Sequence, residues 1–150
     1  MKMLNPSDLA AVVGVIDPDA NSAATYTTDW IDMSTFQMVM GIVMAGTLGA
    51  SATLDAKFEQ ATDSGGSGVK DISGTDITQL TKAGSDDDKQ VVINLHADDL
   101  DLANDFTHAR LSMTVGTATS DAGAVVLGMS PRYAPASDND AATVDEIVTP

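Results

Sequence analysis

"TLDAKFEQATDSGGSGVKDI", residues 53–72, decides the fold class. Leu54, Ala56 and Phe58 alternate with Asp55, Lys57 and Glu59. Successive side chains of a strand point to opposite faces, so this pattern predicts a half-buried antiparallel strand with one apolar and one charged face. The glycines that follow supply the backbone freedom of a hairpin turn. "SGGSG" is not a phosphate loop. It lacks the G-x-x-x-x-G-K-[ST] pattern, leads into Val69 rather than a helix, and sits in an acidic chain that repels nucleotides. Without a G-x-S-x-G setting, Ser64 and Ser67 gain no support as nucleophiles.

Working outward, short β-prone runs recur between turn residues. They cover 8–16, 23–31, 36–46, 53–60, 69–72, 75–82, 90–96, 106–116 and 124–130. Seven to nine short strands with turn signals between them predict an all-β fold, an antiparallel, jelly-roll-like β-sandwich. The run "FQMVMGIVMAG" (36–46) is apolar at both odd and even positions, which predicts a central strand covered on both sides, with Met38, Met40 and Met44 in the core. "DPDANS" (17–22) reads as a turn, and "GTATSDAG" (116–123) as a loop. "ADDLDLAND" (97–105) reads as one helical turn or a loop. Strand periodicity stops at Pro131. The expected organisation is an N-terminal arm (1–7), a sandwich (8–130) and an extended C-terminal tail (131–150) ordered mainly by a partner.

Composition narrows the function. Seven Lys and Arg stand against 22 Asp and Glu, a formal charge of -15. Such a chain is repelled by nucleic acid and by anionic lipid heads, so neither is an expected partner. Only Glu59 and Glu146 are glutamates. The rest of the acid is aspartate, which favours turns and caps over helix interiors. The absence of cysteine removes disulfides, thiolate metal sites and a cysteine nucleophile. No apolar run is long enough for a membrane-spanning helix. The N-terminal "MKMLNPSDLAAVVGVIDP" reads as mature sequence, because Asp8 interrupts its approach to the apolar run and no small-x-small cleavage site follows.

No catalytic or metal constellation assembles along the chain. Asp17, Asp19 and Asn21 have the spacing that opens an EF-hand, but Ser22 and Thr28 occupy the positions that need glycine and a bidentate acid. The acid runs Asp86–Asp88 and Asp98–Asp101 could hold calcium only if their loops met, and acid runs are usually solvated loops. His96 and His108 fall on the polar faces of predicted strands, outside any H-x-H or H-E-x-x-H set. No cofactor is expected. Met1 and Met3 lie outside every predicted strand, which makes them candidates for partner contact.

In "IDMSTFQMVMGIVMAGTLGASATLDAKFEQATDSGGSGVKDISG" (31–74), an apolar strand ends in "AGTLG", and then come an alternating strand, a Gly/Ser turn and a short "VKDI". "HARLSMTVG" (108–116) is an Arg followed by apolar residues, and "VVLGMSPRYAP" (126–135) is an apolar run closing in Pro-Arg-x-Ala-Pro. Across roughly residues 9–135 the chain resembles a family of small capsid-associated proteins of tailed bacteriophages. It departs from that pattern in the acidic segment 97–105 and after Pro135. The resemblance implies a β-sandwich that cements or decorates a phage head, with no catalytic residues to carry over.

The expected function is therefore non-enzymatic: a virion component on the outer surface of the capsid. Its expected partners are the major capsid protein and itself, as a homotrimer first and a homodimer second. The expected contact residues are Met1, Lys2, Met3, Leu4, Asn5 and Pro6, with Arg132, Tyr133, Val144, Ile147 and Val148. Two alternatives stand beside it: a phage tail or neck component, and a calcium- or carbohydrate-binding β-sandwich module. Six aromatics are few for a sugar platform. A hydrolase is disfavoured because no nucleophile has a supported base.

Overall fold

The computed structural model describes residues 3–150, so Met1 and Lys2 lie outside the described residues. One helical turn, α1 (Pro6–Leu9), precedes β1 (Ala10–Asn21), β2 (Ala24–Thr27), β3 (Ile31–Asp32), β4 (Phe36–Ala45) and β5 (Thr53–Ala61). Then come β6 (Lys70–Asp71), β7 (Leu80–Thr81), β8 (Gln90–His96), β9 (His108–Gly116) and β10 (Ser120–Pro131). The strands form two antiparallel sheets. The first has the order β1-β10-β4-β8. The second has the order β2-β9-β5-β6, with β3 also on β9 and β7 also on β5. Chain neighbours such as β1 and β2, or β4 and β5, thus fall in opposite sheets. This is the jelly-roll form of the sandwich, an architecture that capsid, lectin and cupin domains share.

The core lies between the sheets. Val39, Val43, Ile93, Leu95 and Val126 come from the first, and Leu54, Phe58, Leu111, Met113 and Val115 from the second. The alternation read in 53–60 holds in β5: Leu54, Ala56 and Phe58 are buried, while Asp55, Lys57 and Glu59 face outward. Gly41 lies directly over the Phe58 ring, where a Cβ would come within 3.2 Å of Cζ. Its missing side chain lets the largest ring of the core lie against the opposite sheet.

Four expectations are corrected. "DPDAN" is not a turn but the second half of β1. Register shifts between Val12 and Gly14 and between Ile16 and Asp19 absorb extra residues as bulges, and pairing resumes through Asn21 opposite Ser120. The side chain of Asn21 also donates to the Ala122 carbonyl at 2.7 Å. Bulges bend a strand without ending it. The run 23–31 divides into β2 and β3, because Thr28 turns inward and its hydroxyl accepts the Leu111 N–H. β4 is central within its sheet but is covered on one face only. The loop over 116–123 shrinks to a tight connection, and β10 already begins at Ser120.

The C-terminal segment is only partly an arm. Ala136 is fully buried with Ala11 and Phe36 in a small second core. Ala141 donates its N–H to the Val12 carbonyl, and Asp140 accepts the Val12 N–H at 2.7 Å. These bonds occupy backbone groups along the edge of β1, which would otherwise be open to another strand. Residues 145–150 are exposed throughout.

Candidate docking surface

The outer face of the second sheet is a closed polar lattice. Asp55, Lys57 and Glu59 of β5 stand opposite Thr114, Ser112 and Arg110 of β9. Arg110 Nε donates to Glu59 Oε2 at 2.8 Å, and its guanidinium lies 4.5 Å from the Trp30 ring centre. Lys57 Nζ reaches Asp71 at 2.7 Å, and the Gln79 amide donates to Asp55 at 2.7 Å. Lys70 pairs with Asp101 while lying 4.1 Å from the centre of the Phe106 ring. The glycine turn serves this lattice. Gly66, at φ +83°, approaches Trp30 so closely that a Cβ would meet its Nε1 at 2.8 Å. Asp63 holds the turn by accepting the N–H groups of Gly65 and Ser67.

The acid runs likewise tie loops together. Asp87 accepts from Lys82 Nζ at 2.6 Å and from the Leu48 N–H at 2.9 Å, and these bonds hold its carboxyl below the usual carboxylate range. Asp86 is lowered in the same way by Lys89 and the Thr81 N–H, and Asp101 by Lys70 and Asn104. Among the described residues, no group of three or more His, Asp or Glu is arranged to hold a metal ion. His96 is exposed beside Asp99, and His108 lies in the other sheet against Thr107. They share no site.

The outer face of the first sheet is different in kind. Reading across β8, β4, β10 and β1, one row is Val92, Ile42, Val125 and Val15, and the next is Asn94, Met40, Leu127 and Val12. A third row is His96, Met38, Met129 and Ala10, and on the other side lie Gln90, Met44 and Gly123, where exposed Asp121 of β10 borders the face. Apart from Asp121 at the border, none of these residues is Asp, Glu, Lys or Arg, although the chain carries 22 acids. Met44 is 50% exposed and Val92 54%. Beside Gly123, the β1 bulge at Pro18 opens a mostly apolar groove of about 370 Å³ between Val15, Met44 and Val125, with Asp121 also in its lining. The methionines expected in the core are therefore on the surface. The signal was present in the unbroken apolar register Met38, Met40, Ile42, Met44, but a run apolar on both faces reads the same whether a second layer covers it or not.

The terminal contact candidates fall partly together. β1 begins where β10 ends, with Ala10 opposite Met129, so α1 and the residues after Pro131 share one end of the sandwich. Met3 is 83% exposed and Tyr133 76%, and Leu4 and Leu9 are also largely exposed. Arg132 lies against the Tyr133 ring, while its backbone N–H is bound by the Thr35 carbonyl. Asn5 and Pro6 are used locally: Asn5 caps α1, donating its N–H to Asp8 at 2.7 Å, and Pro6 opens the turn. Val144 is half-buried, and Ile147 and Val148 are exposed farther along the tail. Leu9 was missed because it sits inside an apolar run that reads as strand.

No protein-family model and no curated protein matches the sequence. Among solved structures, the chain is similar to one in the structure of infectious bursal disease virus, Gt strain. The identity is 15% and the TM-score 0.44, covering 91% of this chain and 38% of that one. It is also similar to a chain of broad bean stain virus, at 10% identity and TM-score 0.46, covering 89% and 92%. A chain of empty cowpea mosaic virus particles has 10% identity and TM-score 0.40, covering 87% and 88%. This chain thus spans well under half of the bursal disease virus chain. Likeness at this level assigns no role, and the jelly roll stands on its own strand order.

Proposed function

We propose that this chain is a structural virion protein, a cement or decoration protein that binds the outer surface of a tailed-phage head. The observation that carries this reading is the exposed apolar corner formed by Met3, Leu4, Leu9 and Tyr133 on a strongly acidic jelly roll. Large apolar side chains gathered at one end of a charged domain favour a protein partner over solvent. The sequence resemblance names that partner as the major capsid protein. Net negative charge keeps free copies soluble and suits a surface facing away from packaged DNA.

In this mechanism the terminal corner, with Arg132 beside it, seats where shell subunits meet, and the exposed Ile147 and Val148 of the tail add contacts. Each bound copy stabilises the assembled shell over its separated subunits, and many copies multiply that effect. The test is binding of the purified protein to purified empty shells. Deleting residues 1–6 is expected to abolish decoration while the circular dichroism spectrum stays that of the wild type. Leu4→Asp combined with Tyr133→Asp should do the same without shortening the chain. Normal shell occupancy by both variants overturns the reading.

A further inference from the structure

We propose that the uncharged outer face of the first sheet is a self-association surface, on which a second copy of this chain packs face to face as a two-fold dimer. The proposal goes beyond shell binding and uses a different surface. Its first support is charge. Each copy carries -15, yet among the described residues the rows of this face from Met38 to Met44 hold no Asp, Glu, Lys or Arg, and Asp121 stands only at their border. A charged partner surface would bury its ions here without counterions, at considerable cost. The chain's own face buries none, so it matches this one in chemistry.

The second support is area. Four strands about 4.8 Å apart, crossed by four side-chain rows about 6.8 Å apart, span on the order of 500 Å². Two copies then bury about 1,000 Å², the lower bound for a specific interface, and the open second face of a sheet is built for packing on another at about 10 Å. The third support is symmetry. β4 and β10 are the inner strands, so a two-fold axis through the centre of the face brings the Met40, Ile42, Val125 and Leu127 cluster of one copy onto that of the other. Unbranched methionine side chains adapt to such a contact, and Met44 flanks a groove that a partner side chain can fill.

The test is sedimentation equilibrium of the full chain, without shell protein, up to about 1 mM, where an association of only ~4 kcal/mol is visible. A dimer is expected, and it should tighten as salt rises, because salt screens the repulsion between two acidic copies and leaves apolar contact intact. Met40→Asp and Leu127→Asp should each weaken dimerisation at least tenfold while keeping the wild-type circular dichroism spectrum and Trp30 emission. Gln79→Ala, whose side chain bonds Asp55 on the outer face of the other sheet, should not change it. The proposal is overturned by a wild-type monomer at every salt concentration, by dimers that dissociate in salt, or by folded aspartate variants that associate normally. Shell binding is scored separately with the terminal variants, so failure of either reading leaves the other standing.

Discussion

The two outer faces of the sandwich share one backbone geometry and opposite chemistry. On the second sheet, each of the charges Asp55, Lys57, Glu59 and Arg110 meets a partner within the chain. On the first sheet the rows from Met38 to Met44 carry no charge to pair, and methionine, valine and leucine meet solvent. An antiparallel sheet can keep one face solvated, and the second sheet does so in the ordinary way. The first carries a face fit for a core on the outside of the molecule. The difference separates a surface whose polar groups are paired within the monomer from one left apolar against solvent.

The largest expected effect removes what both sheets depend on. Phe58→Ala should cost about 3–5 kcal/mol in guanidinium unfolding, because the ring is fully buried and Gly41 leaves no side chain to collapse into the space. A smaller loss would mean that the sheets are less tightly coupled than their packing implies. Next comes Arg110→Ala, which strips a partner from half-buried Glu59 and uncovers Trp30. About 1–2 kcal/mol should be lost, with a red shift of the single tryptophan's emission. If neither changes, the polar lattice is not closed as described.

The loop carboxylates give a pH signature. Asp87 is held below its ordinary value of 3.8 by Lys82 and the Leu48 N–H. Its unfolded form therefore binds a proton first as the pH drops, and its contribution is complete above that value and lost as the pH falls through the lower folded value. The stability gap between wild type and Asp87→Asn should be constant near neutrality and close below about pH 3.8. A gap unchanged at acid pH would break the assignment. The smallest effect is expected at Lys57→Ala. Its partner Asp71 is more than half exposed, so the loss should stay within about 1 kcal/mol and shrink in high salt.

Much of this contrast was legible in the residues. The alternation around Phe58 marks β5 and its charged face, because period two exposes which side is wet. "FQMVMGIVMAG" could not be resolved so. Both its faces are apolar, and periodicity records where apolar residues lie without recording how many layers cover them. "DPDAN" misled for a related reason. Asp and Pro favour turns locally, but pairing with β10 outweighs that preference and converts the extra residues into bulges. The tail read as free because no period runs through 131–141. It docks through one buried alanine and single hydrogen bonds to β1, which leave no repeating pattern.

By itself the sequence determined an acidic, cysteine-free, all-β chain, the inward residues of β5, and the turn at "SGGSG". These depend on neighbours in the chain and on composition. Only the tertiary structure decided the jelly-roll order, the meeting of α1 with the residues after Pro131 at one end and the methionine face of the first sheet. Each depends on which strands lie side by side and which layer is missing, and those facts are set by contacts between residues far apart in the chain.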